Sequence, residues 1–406
     1  TILKDKQNDL EFLQGYVECI KDADGQQIAA WSGPRPPRFS TTVVGRWIRR
    51  DEAILGEVGE FRPLLGDEEW ARLSNQPVKT AKRHIELGAV LFPEEVDQNR
   101  YSDGWAFICW NVQKMKKGRP PVLRPAFLRS ARAGRSDLAA RTPAVAGLVE
   151  KSIVVVGLGA IGAPRAIELA RSGAKQLRLV DGDRVEPSTV RRWPIGWSAF
   201  GRKKIEILKE RLDLDYPWTE AVLFDEMIGR VKDIGEPQQR ETIEDIVDGA
   251  DLIIDTSAEM GVNHFLSEVA RIRRIPFLLA NATPGAWGGI VAQFPPQGPC
   301  WMCLRHALYE TKAIALPPAD MSAAGETQPA GCAEPTFTGA AFDLQEVSLE
   351  AIRAATALLG IEGSYLPGDS DVAILSLRDE AERRIPPRWD VHHIPRRDDC
   401  PCNSNG

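Results

Sequence analysis

The pattern of apolar and polar positions divides the chain into three zones. Residues 1 to about 113 are mixed in pattern and carry five tryptophans, Trp31, Trp47, Trp70, Trp105 and Trp110. Within them, Ala89 to Phe92 and Trp105 to Val112 read as strands, because aromatic and β-branched residues suit a pleated, half-buried surface. Asp67 to Ser74 reads as a short helix with acids in its first turn, and Pro77 either ends it or opens a second helix to about Arg83. A basic, proline-bearing segment, Lys114 to Pro125, reads as a linker. Phe127 to Val149 follows, with Arg129, Arg132 and Arg135 at helical spacing and Arg141 beyond.

From Lys151 the pattern sharpens. Ser152 to Val156 is an almost unbroken β-branched run, the signature of a parallel strand buried on both faces. A glycine turn spans Gly157 to Gly162. Ala163 to Ser172 reads as a helix, with Pro164 in its first turn and Gly173 as its stop. Gln176 to Val180 is a second strand, completing one βαβ unit. Ala199 to Leu212 reads as a further helix. Asp251 to Asp255 and Pro276 to Ala280 read as later parallel strands with a helix between them, and Ile290 to Phe294 as another strand. Residues 307–331 are rich in Ala, Pro and Gly and read as a long mobile loop, followed by a helix from Leu344 to Leu359. No internal repeat is present. The pattern predicts an α/β protein: a doubly wound, mostly parallel sheet with a separate amino-terminal α/β domain, divided as residues 1–126 and 127–406.

Length and charge narrow the possibilities. A chain of 406 residues holds two to three domains at roughly 150 residues each. With 51 basic and 57 acidic residues the net charge is −6, so no global field recruits nucleic acid. No apolar run approaches the roughly 18 residues that span a bilayer. The amino end, Thr1 to Glu11, is charged and polar and lacks the pattern of a secretory signal, so a cytoplasmic location is expected. Seven cysteines are an odd count. Four form close pairs, Cys300/Cys303 and Cys400/Cys402, which in such a chain read as metal ligands before disulfides. Together they offer four thiolates to a tetrahedral zinc, although the tighter C-x-C chelate leaves His306, His392 or His393 as a possible replacement for one of them.

The chemistry concentrates after the first sharp strand. Gly157, Gly159 and Gly162 have the spacing G-x-G-x-x-G, which lets a backbone turn tightly beneath a phosphate at the positive end of a helix. Asp181 ends the next strand, 24 residues after Gly157, where an acid meets a ribose hydroxyl. Arg192 follows in DGDRVEPSTVRRW, and Arg202, Lys203 and Lys204 open the next helix. A dinucleotide-reducing enzyme needs no such cations, whereas an enzyme handling a triphosphate must offset several negative charges. A solvated basic helix face is the lesser alternative for Lys203, and a weaker one still for Arg192 and Lys204.

The glycines, then D-x-D-x-V at Asp181 to Val185, then Arg192, then G-x-x-K at Gly201 to Lys204, resemble the adenylation domain of the ubiquitin-activating enzyme superfamily, the ThiF-like fold. The resemblance covers residues 127–406. It implies a Rossmann-like domain that binds ATP, with Asp181 on the ribose, Asp183 also among the cofactor-binding residues, and Arg192 and Lys204 on the phosphates. The family's usual Asn before that Arg falls on Thr189, and its usual Gln after it on Trp193. The family's magnesium-holding aspartate falls on Ala258, which leaves neighbouring Glu259 as the candidate magnesium ligand and Asp255 as a structural residue. The resemblance also implies the zinc site at Cys300, Cys303, Cys400 and Cys402. Cys332, in GCAEPTFTG directly after the long loop, matches the crossover loop of members that carry a ubiquitin-like protein as a thioester. An arginine ahead of the glycine turn reaches the phosphates in this superfamily, often those of a partner subunit; Arg129, Arg132, Arg135 and Arg141 are candidates, with Arg135 favoured and a solvated helix face as the alternative. A ubiquitin-like protein, a conjugating enzyme and a second copy in a homodimer are the implied partners. Cys19 and Cys109 have no such role, Cys109 lying in an apolar strand-like run. Three other readings stay open: a sulfur-carrier adenylyltransferase without a thioester relay, an NAD-dependent oxidoreductase, and a non-catalytic scaffold of the same fold.

Overall fold

In the computed structural model, the residues described below are 3–4, 11–12, 19–30, 45–52, 66–74, 85–97, 99–113, 122–128, 142–229, 239–327, 336–361 and 371–403. The chain forms two compact units, Thr1–Leu138 and Ala139–Gly406.

In the first unit a four-stranded sheet runs in the order Arg46–Arg49, Ile85–Asp97, Arg100–Gln113, Val122–Leu128. The first pair is parallel and the others antiparallel. The two long strands form a hairpin at Asn99, which takes a left-handed φ of 58°, a conformation that asparagine tolerates better than most residues. Val90, Leu91, Ala106 and Ile108 are buried, and Trp47 meets Trp105 edge to face at 5.8 Å. The expected helix is present at Asp67–Ser74. The segment read as a linker differs: its last residues, from Val122 to Pro125, belong to the strand Val122–Leu128. That strand is an edge, where a proline costs no ladder bond on the open side.

The second unit is an eight-stranded sheet clad by helices on both faces. Its strands are β1 (Ser152–Val156), β2 (Gln176–Val180), β3 (Glu220–Phe224), β4 (Leu252–Asp255), β5 (Phe277–Ala282), β6 (Gly288–Phe294), β7 (Asp371–Arg378) and β8 (Arg384–His393). Its helices are α1 (Gly162–Arg171), α2 (Lys204–Asp215), α3 (Gln239–Val247), α4 (Met260–Arg273), α5 (Trp301–Arg305) and α6 (Ala341–Leu358). The strand order is β3-β2-β1-β4-β5-β6-β7-β8. β1 to β5 run parallel and the remainder antiparallel. Both faces of β1 are buried: Ile153 and Val155 pack with α1, α2 and α6, while Val154 and Val156 pack with α3, α4 and α5. This double burial is why the strand is a continuous apolar run rather than an alternating one. Strand order reverses between β1 and β4, the kind of switch point at whose carboxyl ends open α/β sheets bind ligands.

Several elements depart from expectation. α2 begins at Lys204, not Ala199. Gly201 takes a φ of 77° and its N–H donates to Val185 at 2.8 Å, so the chain closes a short antiparallel contact before the helix starts, leaving a single 3₁₀ turn at Trp197–Ala199. The stretch read as a loop from residue 307 begins as a helical turn, His306–Glu310, and contains Glu326–Thr327, paired antiparallel with Thr336–Phe337. Arg129, Arg132, Arg135, Arg141 and Cys332 lie outside the described residues. β3, β7 and β8 had no counterpart in the sequence reading. Among the described residues no helix is long and apolar enough to cross a membrane.

Candidate nucleotide site and cysteine cluster

The glycine turn sits at the switch point between β1 and β4, and each glycine has its own reason to be there. Gly157 takes a φ of 80°, and a Cβ on it would lie 2.8 Å from the Ser257 nitrogen. A Cβ on Gly162 would lie 1.9 Å from the Gly157 carbonyl oxygen, so this glycine lets α1 start directly against the turn. A Cβ on Gly159 would meet open space. Nothing in the chain around it therefore requires glycine at this position.

Asp181 organises the polar edge. Its carboxylate is 8% exposed and accepts the Leu158 N–H at 2.6 Å and the Asp183 N–H at 2.7 Å. Lys204 reaches back from the first turn of α2, 3.4 Å from Asp181 and 2.8 Å from Asp183. Burial pulls the Lys204 ammonium down, but the two carboxylates outweigh it and hold the pKa above the ordinary lysine value. The cation is therefore fixed and charged at neutral pH, with little water around it. Lys203 is partly exposed and pairs with Asp225. Met227 lies against Gly182, within 2.7 Å of where its Cβ would be. Neither Asp225 nor Met227 was singled out from the sequence.

Trp193, which replaces the family's usual glutamine, is 6% exposed, and its indole N–H donates to the Leu158 carbonyl at 2.8 Å. The departure thus converts a polar contact position into an internal brace for the glycine turn. Thr189 caps its own loop, its hydroxyl donating to the Glu186 carbonyl at 2.9 Å. Arg192 is half-buried. Its guanidinium donates to the Phe337 carbonyl at 2.6 Å and lies over the Phe337 ring, 5.6 Å from its centroid. Burial lowers its pKa from the ordinary guanidinium value. No local signal announced Phe337, since the contact spans 145 residues.

On the far side of the turn, the Thr256 hydroxyl donates to Val156 at 2.9 Å and also contacts the Gly157 carbonyl. Ala258 takes a φ of 63°. Glu259 is exposed at the N-cap of α4. Gly157, Gly162, Asp181, Asp183 and Lys204 thus gather at one sheet edge with Trp193 and Thr256. Arg192 is one residue from that brace but turned to Phe337, and Glu259 stands at the start of α4.

The four cysteines converge from opposite ends of the last quarter of the sequence. Their sulfurs all lie within 4.8 Å of one another, with Cys300–Cys400 at 3.4 Å and Cys303–Cys402 at 3.6 Å. A hydrogen bond from the Cys300 thiol pulls Cys303 down to about 4, while burial pushes Cys402 up to about 11. No histidine joins the group among the described residues: His306 bonds Glu310 and His393 pairs with Asp371, each at 2.7 Å.

A doubly wound sheet with a glycine turn, a strand-end carboxylate and an adjoining buried lysine defines a nucleotide-binding α/β domain. The ThiF family model matches residues 138–357, and the chain belongs to the ThiF family. Two uncharacterised proteins of Sinorhizobium fredii are similar along nearly the whole chain. One, y4qC, is 32% identical over 97% of this chain and 68% of its own length. The other, y4oA, is 35% identical over 89% of this chain and 62% of its own, so this chain spans about two-thirds of either. The SAMP-activating enzyme E1 of Haloferax volcanii is 29% identical over 39% of this chain and 54% of its own length.

The glycine geometry separates folding from binding. Gly162→Ala should lower the thermal midpoint, because backbone must move to admit the methyl. Gly159→Ala should leave the midpoint unchanged and weaken nucleotide affinity instead. Differential scanning fluorimetry with and without ATP measures both.

Proposed function

We propose that the chain is an ATP-dependent activating enzyme that adenylates the carboxyl-terminal glycine of a ubiquitin-like protein. The observation that carries this reading is Lys204, held charged and largely desolvated by Asp181 and Asp183 beside the glycine turn. The y4qC-type relatives are longer, so activities beyond adenylation belong to the proposal as well.

In this reading the ribose lies against Asp181 and Asp183 and the phosphates pass over Gly159. A carboxylate oxygen of the substrate attacks the α-phosphorus, the bond to the bridging oxygen of the β-phosphate breaks, and pyrophosphate leaves. Lys204 offsets the charge that builds on the phosphate oxygens, and it does so from a preorganised position, which is where such cations have most effect. Arg192 turns from Phe337 to the same phosphates, and Arg135 adds a further cation, from a partner copy if the enzyme is a homodimer. Asp255 is occupied by its own hydrogen bonds and Ala258 offers no donor, so Glu259 and the phosphate oxygens would hold magnesium, in keeping with that ion's habit of using one or two carboxylates plus phosphate.

Cys332 then attacks the acyl carbon of the adenylate as a thiolate, AMP departs, and the thioester passes to a conjugating partner. The short pairing of Glu326–Thr327 with Thr336–Phe337 brackets this cysteine in the sequence, and Phe337 is the residue that Arg192 holds. The cysteine cluster fits structural zinc. A tetrahedral ion with bonds of about 2.3 Å places its sulfurs about 3.8 Å apart, close to the separations found, and the ion would tie the tail to α5.

Three outcomes follow. ATP–pyrophosphate exchange should depend on a ubiquitin-like protein and fall about a hundredfold or more in Lys204→Ala, the scale of losing one preorganised donor; undiminished exchange in that variant would remove the basis of the reading. A thiol-reducible adduct with the ubiquitin-like protein should form in the wild type and vanish in Cys332→Ala, in which exchange persists. Elemental analysis should find one zinc per chain, near none in Cys300→Ser, and chelation should lower the thermal midpoint.

A further inference from the structure

The nucleotide site as read above has two cations among the described residues, and they are held differently. Lys204 is paired with two carboxylates. Arg192 has no ion pair among the described residues. Its partners are neutral and both belong to Phe337, the carbonyl at 2.6 Å and the ring at 5.6 Å. Its backbone is fixed, because its N–H donates to Thr189 at 2.8 Å and the next residue, Trp193, braces Leu158. An exchange of partners therefore involves the side chain alone.

Phe337 belongs to a segment that is docked on the turn between β5 and β6. The Asp320 N–H donates to Pro284 at 2.9 Å and the Gly285 N–H to Gly325 at 3.0 Å. The Thr283 hydroxyl donates to Pro318 at 2.5 Å. Packing is tight there: a Cβ on Gly325 would lie 2.0 Å from the Asp320 carbonyl oxygen, and one on Gly339 2.4 Å from the Ala286 Cβ. On the return, the Thr338 N–H donates to Gly325 at 2.8 Å and its hydroxyl to Ala324 at 2.7 Å. Outward from this platform stand Glu326–Thr327 and Thr336–Phe337, a two-residue antiparallel pair whose first strand is exposed. So short a pair is marginal without further packing. Two contacts hold its far end: the Phe337 side chain packs at the border of the core, and Arg192 bonds its carbonyl.

We propose that the contact between Arg192 and Phe337 is an autoinhibitory latch: it withholds Arg192 from the phosphates of a bound nucleotide, and phosphates that capture Arg192 release the strand pair. This rests on the nucleotide reading given above. A guanidinium is one rigid planar fork. It cannot lie over the Phe337 ring with its N–H on that carbonyl and at the same time grip a phosphate. The exchange favours the anion, because a hydrogen bond between charged groups is about twice as strong as one between neutral groups. The coupling is reciprocal: what ATP takes from the latch, the latch takes from ATP affinity.

Hydrogen exchange of the intact chain, with and without ATP, tests this. In the wild type, saturating ATP should raise exchange at residues 326–327 and 336–338 about tenfold, the scale of one lost hydrogen bond, with the β5–β6 turn at residues 283–287 unchanged. Adenosine, which brings no phosphate, should leave both as they are. Arg192→Gln should exchange fast at the pair without ATP and no faster with it, while its ATP affinity falls. Phe337→Leu keeps an apolar side chain and the carbonyl but removes the aromatic face. It should bind ATP about threefold more tightly than the wild type, the scale of one cation–π contact at a partly exposed site. ATP that binds the wild type and leaves exchange at the pair unchanged or slower would overturn the proposal. Equal release by adenosine, or wild-type exchange at the pair in Arg192→Gln, would overturn it too, as would unimproved ATP binding in a Phe337→Leu chain with a wild-type thermal midpoint. Calorimetry separates these outcomes from failure of the nucleotide reading itself: no binding of ATP to the wild type would defeat that reading and the latch with it.

Discussion

Leu158 is held by both of its backbone polar groups, and the edge of the sheet is built around that clamp. Its N–H donates to Asp181 and its carbonyl accepts from Trp193. A glycine-bearing turn cannot rely on side chains of its own for rigidity, because glycine supplies none and loses more conformational entropy than any other residue. Rigidity has to come from neighbours. Asp181 supplies it from β2, Trp193 from the loop before α2, and Thr256 from the end of β4. The same Asp181 then stands beside Lys204, so the residue that shapes the turn also fixes the cation next to it.

Electrostatically the arrangement is economical. A lysine taken out of water is driven toward its neutral form, and one carboxylate does little more than match that drive. Lys204 has two, one buried and one half-open. It therefore remains an ammonium, held beside the carboxylate that also braces the glycine turn. Further along the edge, Arg192 is already desolvated and rests on Phe337, so the cost of removing it from water has been met during folding. The cysteine cluster is a second long-range contact, and it brings together positions about a hundred residues apart in the chain.

Much of this was legible in the sequence, and the reasons are physical. Two-sided burial forces an apolar run, which exposed β1, and the crowding at Gly157 and Gly162 forces glycine, which exposed the turn. Asp181 follows from strand length, and the cysteines from pair spacing. What escaped depends on contacts between distant segments. Nothing local marks Phe337 as the acceptor for Arg192, or Arg165 as a side chain destined for the core, since both lie in stretches of ordinary composition. Trp193 read as a lost polar contact because a family pattern records residue type and not the direction of a hydrogen bond. α2 started late because Gly201 supports a left-handed turn that composition alone does not require. β8 was hidden by its edge position, where Arg384–His393 alternates polar residues with two prolines.

The central claim is that this sheet edge is an ATP-phosphate site, and direct calorimetric titration of the intact chain with ATP and, separately, with NAD examines it. The account predicts saturable binding of ATP that weakens steeply with added salt, as expected where desolvated cations meet phosphates, and no heat from NAD. Tight NAD binding with none of ATP would contradict it.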